Sequence, residues 1–433
     1  MMGAAGPEVR QAWQDAVPGA GLGLPDYYDG GRPRWGAPYR YPGVAPFSHL
    51  AFPTVSDGRV YAQAPGQIRC LSFENGQALW SVREADLAPQ RRFPTPGGFR
   101  WWRPQRAAQT VPVIAGRLLL VRAPAGRFEN DSSGWPAEFV LAALDARTGA
   151  LLWQRAAADG PPDSFYNLPT VSGQTVYTGI STSMAGLTEY RATALDAATG
   201  DRLWTTYLGS GSDPMAGVDG SPAAVRGGTV WVETCLHTVC ALDALTGEIQ
   251  WMASFQPETN APDRSGWQDT MNVTNEPVSL IAPFGDRLLF CPRWGDRVVA
   301  LNARTGHRAW SAESRHCRSL IAVDRAHAVL TGDRIRSLDP STGRTQWTWT
   351  PPTPERFGYP ALVGNRVVVP GGAYLIFLDA ATGEERGRRN LKEFAAQPGA
   401  AAVLVIGRRL LFSQADRLIA LDEAPDQSLA MKW

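Results

Sequence analysis

The sequence predicts an all-β chain folded as an eight-bladed β-propeller of four-stranded antiparallel blades, with seven blades as the fallback count. Three observations point there. The stretch from Ala143 to Trp153, ALDARTGALLW, returns at Ala194–Trp204, Ala241–Trp251, Ala300–Trp310 and Ser337–Trp347. A constant succession of strand and turn signals separates the copies. No segment carries the apolar spacing of an amphipathic helix. Periods of this size mark an array of one supersecondary unit.

The motif has a physical reading. Small-Leu-Asp ends a strand, and Asp-x-x-Thr-Gly is a tight turn whose carboxylate accepts from backbone N–H groups two or three residues on. Gly supplies the positive φ that such a turn needs. The Trp at a fixed offset then lies on the flat Ala/Gly surface of the neighbouring blade. Burying ~200 Å² of indole at ~25 cal/mol per Å² is worth roughly 5 kcal/mol as an upper bound. Weaker copies are Arg69–Trp80 and Phe377–Gly387, and a remnant is Ala420-Leu421-Asp422.

Taken in order, residues 1–48 are rich in Gly, Pro and Tyr without periodicity. They read either as an irregular arm, part of which adds an outer strand to close the ring, or as a disordered tail. Residues 49–433 form the propeller. Each unit opens on an apolar strand often marked by Pro (Pro53, Pro169, Pro222, Pro360), continues through a Gly turn into a β-branched strand, and ends with the small-Leu-Asp and Trp strands. Blades begin near residues 51, 108, 168, 220, 276, 318, 358 and 400. The last lacks the Thr-Gly turn, and Trp433 is the expected docking residue there if the turn is longer. One face of the disc is uniformly tight. The long insertions, residues 83–107, 123–138, 181–192, 206–219 and 253–274, fall on the other face and belong to blades one to five. Long ordered loops in compact domains are usually functional.

Composition bounds the classes of partner. Net charge is +1, so no overall field favours nucleic acid or an anionic membrane. Only Lys392 and Lys432 are lysines among the 42 basic residues. Five cysteines are too few for a disulfide scaffold; Cys235 and Cys240 flank a hairpin turn, which leaves a pairing across it open. No apolar run reaches the ~18 residues of a membrane span, and no basic and apolar leader is visible at the start. No zinc-binding cluster is present, and the five histidines are scattered.

The AxDxxTGxxxW repeat resembles the tryptophan-docking motif of the pyrroloquinoline-quinone (PQQ) type propeller family, over roughly residues 50–433. That family holds quinoprotein alcohol dehydrogenases and non-catalytic members such as the lipoprotein propeller of the outer-membrane barrel-assembly machinery. The resemblance is specific for fold. It implies an exported, periplasmic protein. For the enzymatic branch it implies PQQ and Ca²⁺ in the central channel, with adjacent cysteines over the cofactor, and this sequence has no Cys-Cys pair. The expectation is therefore a monomeric, non-enzymatic scaffold without cofactor, which binds a protein or small ligand on its loop-rich face. A PQQ- and Ca-dependent dehydrogenase is the alternative.

The candidate binding residues lie in two insertions. The first places Arg92, Arg100 and Arg103 beside Trp101 and Trp102, the composition of binding hot spots and also of a self-packed loop. The second holds Trp267, Gln268, Asp269 and Asn272 near the expected channel entrance. Glu233, Asp219 and Asp213 add carboxylates to this face; oxygen ligands suit Ca²⁺, but the spacing matches no compact calcium loop, and solvated side chains are the simpler account. His316-Cys317 is a weak nucleophile signal.

Overall fold

A computed structural model describes residues 9–16, 28–29, 32–33, 52–64, 66–88, 92–93, 111–125, 127–128, 138–157, 163–184, 187–211, 220–234, 236–255, 279–292, 297–314, 317–352, 357–371, 374–390, 402–413 and 417–423. Its strands form eight blades of four antiparallel strands, the innermost starting at Thr54, Val113, Thr170, Ala224, Ala282, Cys317, Ala361 and Ala402. The one helical turn among the described residues is the 3₁₀ segment Glu84–Asp86. Hydrophobic core fills the spaces between successive blades: Val176, Leu195 and Ile180 of blade three, for example, pack with Leu120, Leu141 and Trp153 of blade two.

The repeat works as its residues require. In blade three, Asp196 Oδ1 accepts from the N–H groups of Ala198 and Thr199, both at 2.9 Å, and the Gly200 N–H closes on Asp196 O at 2.8 Å. Asn302 makes the same turn in blade five with an amide oxygen, at 3.1 and 3.0 Å. The docking indoles of Trp80, Trp153, Trp204, Trp251, Trp310 and Trp347 lie against Gly149, Gly200, Gly247, Gly306, Gly343 and Gly383 of the following blade. Each indole N–H donates to a carbonyl there: Ala146, Ala197, Ala244, Ala303, Pro340 and Ala380, at 2.7–3.2 Å. The glycine is required twice, by its positive φ and by space. At Gly200 (φ +71°) an added Cβ would stand 2.6 Å from Trp153 Cε3.

Blade eight is completed from the other end of the chain. The strand Val9–Ala16 pairs antiparallel with Arg417–Glu423 and is its outermost member. Trp13 stands opposite Ala420, with a register shift between Gln11 and Trp13. That is the relation of Trp153 to Ala143, where the same shift occurs. Trp13, rather than Trp433, therefore occupies the docking register of blade eight; Trp433 lies outside the described residues. Blade seven has Gly387 opposite Phe377 in that register, and blade eight lacks the Thr-Gly turn that would receive an indole. Both halves of the lock are missing at one seam.

One expectation is corrected and one open question is answered. Much of residues 181–192 is not loop: the strands Thr175–Met184 and Leu187–Asp196 run on as a ladder to the pair Met184–Leu187. The reason is local, since Thr182 and Thr188 are β-branched and, with Ser181, small enough to be buried within the extended ladder. Residues 206–211 likewise belong to the outer strand Arg202–Gly211. The Cys235–Cys240 pairing is also not made, because Cys240 is a buried free thiol inside the apolar space between blades three and four. Cys235 lies outside the described residues.

Candidate functional site

The face carrying the second-to-third turns and the blade links is organised by buried polar side chains. In blade one, Gln63 Nε2 donates to the Glu84 carboxylate at 2.7 Å and to Arg122 O at 2.8 Å, and the Gly66 N–H donates to Glu84 at 2.8 Å. Burial pushes the Glu84 carboxyl above its usual range. Arg122 of blade two is buried, lies over the Phe139 ring at 4.7 Å and donates to Phe165 O at 3.3 Å. One connected network thus ties blade one to the entry of blade three.

The next links are as firmly held. Tyr166 fits into space left by Gly179 and Gly220, where a Cβ would come within 2.3 and 2.5 Å of its ring, and its hydroxyl donates to Glu233 O at 2.7 Å. Asn167 is buried, accepts from Gly179 N–H at 2.6 Å and donates to Ser221 O at 3.2 Å. The Ser221 hydroxyl donates to the Glu233 carboxylate. Asp163, on a short strand laid against Ile180–Thr182, accepts from Thr182 and from Arg191 at 3.3 Å. These groups hold the blade connections in place.

This arrangement corrects the reading of Glu233 as a solvated carboxylate and weakens the nucleophile signal at Cys317. Glu233 is buried and engaged with Ser221 rather than offered to a cation. Cys317 sits in the core between blades five and six, its thiol donating to Arg334 O at 3.2 Å; burial pushes the thiol up to about 12, the reverse of an activated nucleophile. Cys240 is similarly raised to about 12 by burial. Among the described residues, no three His, Cys, Asp or Glu side chains converge on a point that could hold a metal.

Of the candidate binding residues, only Arg92 has a described backbone. The strand Arg92–Phe93 pairs in parallel with Arg127–Phe128, which joins the first insertion to the blade-two turn. Arg100, Trp101, Trp102, Arg103, Trp267, Gln268, Asp269 and Asn272, with Asp213, Asp219 and His316, lie outside the described residues.

A feature that sequence reasoning missed is the rim. The large apolar side chains exposed among the described residues are Leu79, Leu151, Leu152, Leu187, Leu203, Tyr207, Leu245, Ile249 and Met252. All belong to blades one to four, mostly on outer strands. Their signal was legible beside the docking Trp: ALW, LLW, RLW and IQW in blades one to four, against RAW and TQW in blades five and six.

Comparison with known proteins adds the following. A family model described as outer membrane protein assembly factor BamB matches residues 98–264 and 259–427. The chain is similar to the outer membrane protein assembly factor BamB of Bordetella pertussis, at 25% identity over 58% of this chain and 58% of that protein. It is also similar to the quinohemoprotein alcohol dehydrogenase of Comamonas testosteroni, at 26% identity over 52% of this chain but 33% of the enzyme. The chain thus spans about a third to three fifths of these relatives' lengths. The crystal structure of BamB from Moraxella catarrhalis superposes with a TM-score of 0.56 at 15% identity, covering 86% of this chain and 96% of that one, which shows a shared fold.

Proposed function

The chain belongs to the outer membrane protein assembly factor BamB family, and on that premise we propose that it is a non-enzymatic, exported scaffold that holds a protein partner against blades one to four. The observation that carries this reading is that, among the described residues, the large exposed apolar side chains all belong to those blades, mostly on their outer strands. Monomer surfaces seldom concentrate such groups on one sector, and partner sites do. The insertions expected at residues 83–107 and 123–138, the first holding Arg92, Arg100, Trp101, Trp102 and Arg103, leave the same blades in the sequence. The segment with Trp267, Gln268, Asp269 and Asn272 leaves blade four on the way to blade five. The rim offers an apolar strip, and the sequence of the adjoining insertions adds arginine and aromatic residues, a composition suited to a polypeptide. The buried polar network ties the connections of blades one to four together, and a pre-organised support of this kind lowers the entropic cost of binding.

The test is site-specific photo-crosslinking in the native host. A photoreactive residue is placed at Leu152, Leu203 or, as a control on the outer strand of blade six, Thr345. The expected result is one discrete protein adduct from the first two positions and none from the third. Equal adducts from all three, or none from any, would count against the scaffold reading.

A further inference from the structure

We propose that the outer strand of blade three, Arg202–Gly211, is a strand-addition site: it takes an extended polypeptide segment, with apolar residues at alternate positions, as a further antiparallel or parallel strand. The proposal rests on the scaffold reading and names the form in which the partner is bound.

The first observation is length. This strand has 10 residues, whereas the outer strands Leu151–Arg155 and Thr345–Trp349 have 5 and Ala78–Arg83, Ile249–Ser254, Arg308–Glu313 and Glu385–Asn390 have 6. The second is its open edge. The strand ends its sheet, and among the described residues its only strand partner is Leu187–Asp196. The Asp196 N–H binds Asp201 O, and Ala194 and Ala192 stand opposite Trp204 and Thr206. Antiparallel pairing alternates, so Trp204 and Thr206 turn their backbone groups inward. Thr205 and Tyr207 then turn theirs outward, and among the described residues no backbone group bonds to them.

The third observation is the absence of guards. Exposed edges are normally kept short, charged or interrupted by proline. Blade seven shows this, with Arg386, Arg388 and Arg389 in its outer strand. Leu203-Trp204-Thr205-Thr206-Tyr207 has neither charge nor proline and consists largely of strand-favouring residues. Leu203, Thr205 and Tyr207 share one face, where Leu203 is 54% and Tyr207 53% exposed. A row of outward N–H and C=O groups is matched by one kind of ligand, an extended backbone. The exposed Leu203 and Tyr207 then meet apolar side chains at alternate positions of that backbone.

The experiment uses the full chain and a fluorescein-labelled synthetic peptide of 10 residues, the length of the strand, with Val and Tyr alternating with Thr and Gln. A second peptide of the same sequence is N-methylated at alternate amides and cannot pair. Fluorescence anisotropy should show saturable binding of the first and a loss of about tenfold or more for the second. Thr205→Pro deletes an outward N–H and leaves the inner backbone ladder intact, so it should weaken binding to the same degree, while the loss of the Thr205–Thr193 hydroxyl contact lowers the melting temperature only slightly. If that variant does not fold, Tyr207→Lys, which installs an edge guard, takes its place. Equal binding of both peptides, no saturable binding, or variants that bind as the parent does would each overturn the proposal. So would a dimer that Tyr207→Lys dissolves, because the edge would then serve a second copy of this chain. These failures leave the crosslinking pattern at Leu152 and Leu203 untouched, so strand addition can fall while the scaffold reading stands.

Discussion

Replacing Gly247 by Ala tests the lock between blades with a single methyl group. Gly247 has φ +74°, and an added Cβ would lie 2.5 Å from Cδ2 and Cε3 of Trp204 and 2.8 Å from Thr206 Oγ1. The indole cannot swing away freely, because its N–H is bonded to Ala244 O at 3.1 Å. Two costs add: about 1–2 kcal/mol for an L-residue in the left-handed region, and about 1–3 kcal/mol for overpacking against a held ring. Gly228, in the same blade, separates them. It has φ +79° with nothing within 4 Å of its added Cβ, so Gly228→Ala carries the backbone cost alone. Urea unfolding followed by circular dichroism should place Gly247→Ala about 1–3 kcal/mol below Gly228→Ala. In a Trp204→Ala background the gap between the two substitutions should shrink to what the Thr206 hydroxyl alone contributes, because the ring is gone. If the two single variants agree within about 0.5 kcal/mol, the indole does not press on the glycine and the docking argument fails.

Two further outcomes follow from the turns and the closure. The N–H groups of Thr246 and Leu245 hold the Asp243 carboxyl below its usual range, so its contribution to stability is present above the unfolded value of about 4 and is lost as pH falls toward the folded one. Asn302 shows that an amide makes the same turn; the melting temperatures of parent and Asp243→Asn should therefore converge as pH falls below about 4, and a constant gap would clear this turn of the effect. Deleting residues 1–16 removes the outer strand of blade eight and bares the edge of Arg417–Glu423. A lower melting temperature and concentration-dependent association by light scattering are expected, and a variant that melts and sediments as the parent does would show that this strand is dispensable.

The architecture was legible because the docking motif is local: Asp, Gly and Trp lie within eleven residues, and each has one physical task. What escaped were relations that a linear reading separates. Gln11-Ala12-Trp13 carries the spacing of a docking strand, but its Asp partner, Asp422, sits at the far end of the chain, so the nearer Trp433 was the natural choice. Residues 181–192 read as loop because Ser, Thr and Gly serve turns and exposed strands alike, and only the pairing of Thr182 with Glu189 and of Ser183 with Thr188 decides between them. At Glu233 the residue type was right for a cation, and burial against Ser221 gave it another role. The rim was overlooked because Leu beside Trp looks like core when the outermost position of its strand is unknown.

The pairing of residue 9 with residue 423 also sets an order on assembly. A ribosome makes the strand Val9–Ala16 before its partner Arg417–Glu423, so the former must wait for that partner while seven blades are made. The blades form from neighbours in the chain, but the ring closes only across its whole length, a step slowed by the entropy of joining distant ends. Until then the chain is an open arc with an exposed strand edge at its trailing end, and that interval is when it is most in need of protection from aggregation.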